Sequence, residues 1–241
     1  MGDLRGRHVL VVGASAGIGR AVAQQAAAAG ATVVAAARRA DAVAEIDGVV
    51  PLTCDIRDPD ACEALVREGV GDIGALDALV VAAGTSPLSR LEDADADHWR
   101  TVVDTNLVGA ALVTRAALPH LAAARGRAVY MSVTSPGRPW PWLVPYFASK
   151  AGMDEMIRGW RAEHPEIGFT SVSVGPTATE FAAGWPSQAT GEAFQAWSEG
   201  GYLATHDVMT PDQVAAEIIG VLTAPVRIDE LKLMPSFRFR P

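Results

Sequence analysis

Tyr146 and Lys150 stand four residues apart in a stretch, 145–163, that reads as helix. At that spacing two side chains share one helical face, one turn apart. A phenol and an ammonium so placed are the parts of a proton-transfer device. An isolated tyrosine ionises near pH 10 (about 10) and is a poor acid–base at neutral pH. An ammonium at about 4 Å, at an effective dielectric of about 20, favours the phenolate by roughly 4 kcal/mol, or about 3 pKa units. The spacing therefore predicts a tyrosine brought into range for general acid–base work.

A second constellation lies near the start of the chain. The run 13-GASAGIG-19 places Gly13, Gly17 and Gly19 between an apolar stretch and a helical one. Glycines there permit a tight turn and let backbone amides approach a pyrophosphate at a helix N-terminus, where the dipole favours anions. The strand-then-helix context makes such a loop a phosphate cradle.

The elements that must position these groups follow from periodicity. Strands are expected at 7–12, 31–37, 49–55, 77–83, 127–133, 168–175 and 227–234. Helices are expected at 17–29, about 58–68, 96–124, 145–163 and 211–223, the last opened by Thr210 as cap and Pro211 at the first position. Alternating strands and helices imply a mainly parallel, seven-stranded α/β sheet of Rossmann type, doubly wound with helices on both faces. The strands are continuous apolar runs, as both-face burial requires. Residues 1–241 read as a single Rossmann-type domain. The segment 176–209 fits the alternation poorly; with Phe181, Trp185, Phe194, Trp197 and Tyr202 it reads as a substrate lid or wall.

The pairing of G-x-x-x-G-I-G after the first strand with Y-x-x-x-K on a later helix resembles the short-chain dehydrogenase/reductase family, in order and spacing over nearly the whole chain. The resemblance implies a nicotinamide cofactor and hydride transfer between it and a carbonyl or secondary alcohol of a small molecule. It implies that Tyr146 is the general acid/base and that Lys150 also holds the nicotinamide ribose. It implies that Asn106, in 104-DTNLVGA-110, interrupts the long helix and holds a water near the lysine. The cofactor-binding positions it carries over are Gly13, Ser15, Gly17, Ile18, Gly19, Asp55, Ile56, Ala83, Gly84, Gly175, Thr177 and Thr179, beside Tyr146 and Lys150. Asp55 would contact adenine and Thr179 the carboxamide.

The second strand ends Ala36-Ala37-Arg38-Arg39. An acidic residue at its tip would bind the adenosine ribose hydroxyls and repel a 2′-phosphate; position 37 is alanine. Arg38 and Arg39 follow, and a guanidinium forks well onto phosphate. NADP(H) is therefore favoured over NAD(H), which leans towards reduction in a cell.

Three departures stand out. Counting back thirteen residues from Tyr146, to the family's serine position, reaches Val133. Ser135 shares a strand face with it and is the favoured replacement; a bulge or an early strand end would instead present Ser132. A missing oxyanion-type donor costs about a hundred- to a thousandfold in rate. The usual Asn-Asn-Ala-Gly is Val81-Ala82-Ala83-Gly84, and the usual Pro-Gly is Val174-Gly175. These changes leave two other readings open: a catalytically impaired cofactor-binding or partner-binding module, and a non-redox tailoring enzyme on the same fold. Trp140 and Trp142 either line an apolar pocket or brace a proline-rich loop.

The 241 residues carry a formal charge of −8 with no basic run. Nucleic acid is not expected as a partner, since phosphate binding needs a positive face. Cys54 and Cys62 match no metal motif and read as reduced thiols of a cytoplasmic protein. No basic-then-apolar leader opens the sequence, and no uninterrupted apolar run approaches about 20 residues, so no membrane association is expected. The resemblance implies a homodimer or homotetramer through the helices carrying 106–118 and 151–160; packing on the sheet also explains much of their apolar faces.

Overall fold

Seven parallel strands form one sheet in the order β3-β2-β1-β4-β5-β6-β7. The strands are β1 (His8–Val12), β2 (Thr32–Ala37), β3 (Val49–Thr53), β4 (Ala78–Val81), β5 (Arg127–Val133), β6 (Gly168–Val174) and β7 (Glu230–Leu233). The helices are α1 (Gly17–Ala28), α2 (Ala40–Ala44), α3 (Pro59–Ile73), α4 (Ala96–Val103), α5 (Gly109–Ala124), α6 (Val144–Glu163), α7 (Ser187–Glu199) and α8 (Pro211–Thr223). This computed structural model describes residues 2–73, 75–133, 139–202 and 208–236.

Strand alternation divides the core. Val9, Val11, Val33, Ala35, Val129 and Met131 face one layer, completed by α1 and α8 through Val22, Ala26, Val214 and Ile218. Leu10, Val12, Val34, Ala36, Ala128 and Tyr130 face the other, completed by α3, α5 and α6 through Leu65, Val113, Leu121 and Met153. Successive strand residues point to opposite faces, so apolar residues at every position are what a doubly covered sheet needs. The doubly wound Rossmann-type reading is the observed fold.

The chain runs outward from β1 through β2 to β3, then returns to place β4 on the other side of β1. That reversal opens a crevice beyond the carboxyl ends of β1 and β4, where ligands bind in such sheets. Gly13 and Ala82-Ala83-Gly84 stand at its rim.

The expected helix at 96–124 is broken. Residues Asp104–Val108 form a π-helical turn between α4 and α5. By length and hydropathy alone the run Ala96–Ala124 could cross a membrane, which a search for uninterrupted apolar runs passes over. In the fold it packs Val102, Val113, Ala117 and Leu121 into the core.

The Thr210 cap is as expected: its Oγ1 accepts from Gln213 N at 3.2 Å, and Gln213 Oε1 accepts from Thr210 N at 2.9 Å. Two helices were not foreseen: α2, only five residues long, and α7, inside the segment read as a loop.

Candidate active site

The glycine loop is built by close approach. At Gly13, φ is +91° and a Cβ would lie 2.4 Å from Ala83 N, on the loop after β4. A Cβ at Gly19 would lie 2.2 Å from Gly13 O. Only glycine lets the turn, the start of α1 and the β4 loop close together, leaving the amides of the first α1 turn at the crevice. No acidic residue stands in that turn to compete with an anion. The chain's own residues thus fit a dinucleotide at this place.

Further along the crevice, Arg39 donates to Ser15 Oγ at 3.3 Å and pairs with Glu180 at 3.4 Å. Arg38 is exposed beside buried Ala37. Asp55 forms a bidentate pair with Arg57, with Nη2 to Oδ2 at 2.5 Å. That hydrogen bond holds the Asp55 carboxyl at about 2. Ile56 is buried, and a Cβ on Gly109 would meet its side chain at 2.5 Å, so the Ile56 side chain serves the core. Ile18 is partly buried against the α1–α8 layer.

After β6, Thr177 Oγ1 donates to Gly175 O at 3.0 Å, and Thr179 Oγ1 accepts from Phe181 N at 3.3 Å. Thr179 also lies 3.3 Å from where a Gly17 Cβ would be, so this loop meets the glycine loop. At Gly175 the tight neighbours belong to the β7 side: a Cβ would lie 2.9 Å from Met234 Sδ and 3.1 Å from Leu233 O.

Tyr146 and Lys150 sit on α6, one turn apart. Lys150 is 4% exposed, and its Nζ donates to Met131 O at 2.6 Å. Nζ lies 5.8 Å from the Tyr146 ring centre. Burial lowers the Lys150 ammonium to about 8, with the Asp154 carboxylate opposing. Burial also pushes the Tyr146 phenol above its ordinary value. This corrects the expectation of a phenolate stabilised by a lysine at about 4 Å, because desolvation penalises both charged forms. The ammonium is directed to a strand carbonyl instead.

Asn106 lies in the π turn and is 1% exposed. Its Oδ1 accepts from Thr85 N at 2.8 Å, and its Nδ2 donates to Thr85 O at 2.9 Å and Ser149 Oγ at 3.0 Å. Both amide hydrogens are thereby committed. The side chain clamps the loop after β4 to the helix carrying Lys150. A Cβ on Gly84 would meet Asn106 Oδ1 at 3.5 Å and Lys150 Nζ at 3.7 Å, ordinary contacts that place Gly84 beside the lysine.

The serine alternatives separate. β5 runs without a bulge to Val133, paired Ser132 with Ser173 and Val133 with Val174. Ser132 is buried and its Oγ donates to Asp154 Oδ2 at 2.8 Å, while Ser171 Oγ donates to Asp154 Oδ1 at 2.6 Å. The Ser132 hydroxyl is committed beneath α6, which removes the bulge alternative. Ser135 lies outside the described residues. Val133, like Tyr146, Trp140 and Trp185, packs against the buried cluster of Leu88, Trp142, Leu143, Phe147 and Trp197.

The aromatics of 181–202 form one wall. Ring centres run from Tyr146 to Phe181 at 5.1 Å, Phe181 to Trp185 at 5.9 Å, and Trp185 to Trp197 at 6.0 Å. Trp140 meets Trp197 at 5.1 Å, and Trp197 Nε1 donates to Pro141 O at 2.8 Å. Trp142 is buried with φ +71°, under the Arg90 guanidinium at 4.6 Å. Trp140 therefore joins the wall, while Trp142 packs in the buried cluster beneath Arg90.

Asp154 escaped the sequence reading. Its signal was a carboxylate four residues past Lys150, hence on the same face. Thr85 and Ser149 carried no such signal, because only folding brings them to Asn106.

A family model described as short chain dehydrogenase matches residues 7–190. The chain belongs to the short-chain dehydrogenase/reductase family. It is 35% identical over 193 residues to an 11-beta-hydroxysteroid dehydrogenase A of Sesamum indicum, covering 76% of this chain and 56% of that protein. It is 32% identical over 247 residues to a glycine betaine reductase of Emericella nidulans, covering 97% of this chain and 19% of that protein. The chain therefore spans only part of these curated relatives. Among solved structures, an alcohol dehydrogenase from Thermococcus sibiricus complexed with 5-hydroxy-NADP superposes with a TM-score of 0.83 at 24% identity, covering 98% of both chains. A putative short-chain alcohol dehydrogenase of Sinorhizobium meliloti superposes with a TM-score of 0.81 at 29% identity, covering 95% of both.

Proposed function

We propose that this short-chain dehydrogenase/reductase is an NADP(H)-dependent carbonyl reductase or alcohol dehydrogenase acting on an apolar small molecule. The observation that carries the reading is the meeting of the Tyr146–Lys150 face of α6 with the glycine loop across the β1–β4 crevice, joined by the Asn106 clamp.

When bound, the nicotinamide cofactor gives or takes the hydride. The chain's own residues do the rest. Tyr146 delivers a proton to the substrate oxygen, or removes it in the reverse direction. Lys150, buried and held on Met131 O, is the positive charge nearest that phenol on α6. Asn106 fixes Thr85 and Ser149 and so sets the Gly84–Lys150 spacing. Gly13, Ser15, Gly17, Ile18 and Gly19 would hold the pyrophosphate. Asp55 and Ile56 would hold the adenine end, and Ala83, Gly84, Gly175, Thr177 and Thr179 the nicotinamide end. Alanine at 37 with Arg38 and Arg39 beside it supports the 2′-phosphate preference. The aromatic wall from Phe181 to Trp197 supports an apolar substrate, with no bearing on which one.

The same reading places the protein in the cytoplasm, where the buried thiols of Cys54 and Cys62 stay reduced. It also pairs copies through the faces of 106–118 and 151–160, where Val108 remains 41% exposed.

The test is a fluorescence titration with NADPH and with NADH. Tight NADPH and weak NADH binding is expected, and Tyr146→Phe should keep that binding while losing turnover. Failure to bind either nucleotide overturns the cofactor assignment. Unchanged turnover in Tyr146→Phe overturns the catalytic one.

A further inference from the structure

Ser86 follows Gly84 and Thr85 on the loop after β4. It is 4% exposed, and its Oγ has no hydrogen-bond partner. An unpaired buried hydroxyl costs about 1–3 kcal/mol, so such groups are rare unless something uses them. Among the described residues the other unpartnered buried side-chain atoms are Gln25 Oε1 and His98 Nε2. Gln25 is on α1 and His98 on α4; Ser86 alone of the three is on the loop that Asn106 clamps.

The backbone around Ser86 is pinned from two directions. Asn106 holds both Thr85 N and Thr85 O, at 2.8 and 2.9 Å. On the other side Trp185 Nε1 donates to Ser86 O at 2.6 Å. The Trp185 ring meets Phe181 edge-on, Phe181 meets Tyr146 at a tilt, and Leu88, two residues on, belongs to the buried cluster against which Val133 and Tyr146 pack. An unpaired hydroxyl is therefore carried on a pinned backbone, next to the aromatic cluster against which Tyr146 and Val133 pack. A rigid, unpaired donor in a dry wall is what stabilises charge developing on a carbonyl oxygen.

We propose that Ser86 Oγ donates the hydrogen bond to the substrate's carbonyl oxygen, taking the part that Val133 cannot play. This rests on the reductase reading above. The carbonyl carbon gains a hydride from the reduced nicotinamide, and the C=O π bond breaks onto oxygen. Tyr146 gives that oxygen its proton. Ser86 donates a hydrogen bond throughout and keeps its own proton.

The test uses the full chain with phenanthrene-9,10-quinone as probe. Ser86→Ala should lower kcat/KM about 100-fold. It should leave NADPH affinity unchanged and the melting temperature unchanged or slightly raised, because it removes an unpaired group. Adding Val133→Ser to that variant should recover at least about a tenth of the lost rate, since the donor returns on the neighbouring strand. Unchanged turnover in Ser86→Ala overturns the proposal, and so does a lower melting temperature with parallel losses in binding and rate. A loss appearing in Ser135→Ala and not in Ser86→Ala overturns it too. All three leave the reductase reading standing. A wild type inert to the quinone overturns both.

Discussion

Replacing Lys150 with methionine should make the protein more stable while destroying its chemistry. The lysine is 4% exposed, and burial takes its ammonium from 10.5 to about 8. A drop of that size corresponds to about 3 kcal/mol of destabilisation at neutral pH, carried by keeping the charge in a dry site. Methionine fills similar volume without charge. It leaves Met131 O without its 2.6 Å donor, which costs about 1 kcal/mol. The net expectation is a gain of about 2 kcal/mol, or about 4–8 °C in melting temperature for a chain of this size. The sign with pH is a sharper check. The folded pKa lies below the unfolded one, so between them the unfolded chain binds the extra proton and wild-type stability rises with pH. The advantage of Lys150→Met should be full below about pH 8 and fade towards about pH 10.5. Urea melts of both proteins at about pH 7 and about pH 10 measure it, since other groups titrate alike in both. A variant no more stable than wild type near neutrality, or a gap that widens with pH, refutes the desolvation account.

Other perturbations follow from the same geometry. Asp154→Ala strands the hydroxyls of Ser132 and Ser171 beneath α6 and should cost about 2–5 kcal/mol; Asp154→Asn keeps one acceptor oxygen and offers its NH2 to the other serine Oγ, and should cost clearly less, as paired thermal melts would show. Gly13→Ala drives a methyl into Ala83 N at 2.4 Å from a φ of +91°. A loss of about 3 kcal/mol or more, with nucleotide binding lost, is expected by denaturant melt and titration. Removing both guanidinium groups in Arg38→Ala/Arg39→Ala should weaken NADPH about 10- to 100-fold and leave NADH nearly unchanged; equal losses for both nucleotides would refute the 2′-phosphate reading.

The sequence by itself determined the sheet, the winding and the crevice. Seven apolar runs with helices between them admit few arrangements, since short right-handed parallel connections cover both faces. Local signals survived folding wherever their energy is local. The Thr210–Gln213 cap and the Tyr146–Lys150 spacing each depend on neighbours within about one turn. The break at Asp104–Val108 was legible only through the family asparagine, and α7 escaped because small and polar residues blur its apolar face. The tertiary structure alone decided what the side chains face. Ser132 was a candidate donor until Asp154, 22 residues on, took its hydroxyl. Lys150 was expected to lower the tyrosine's pKa until burial and Met131 O claimed it. Ser86 carries no motif at all. Its isolation arises because Asn106 and Trp185, 20 and 99 residues distant in sequence, hold the backbone still and leave its hydroxyl unpaired. Desolvation and long-range hydrogen bonding are properties of an enclosed volume, and a linear pattern does not carry them.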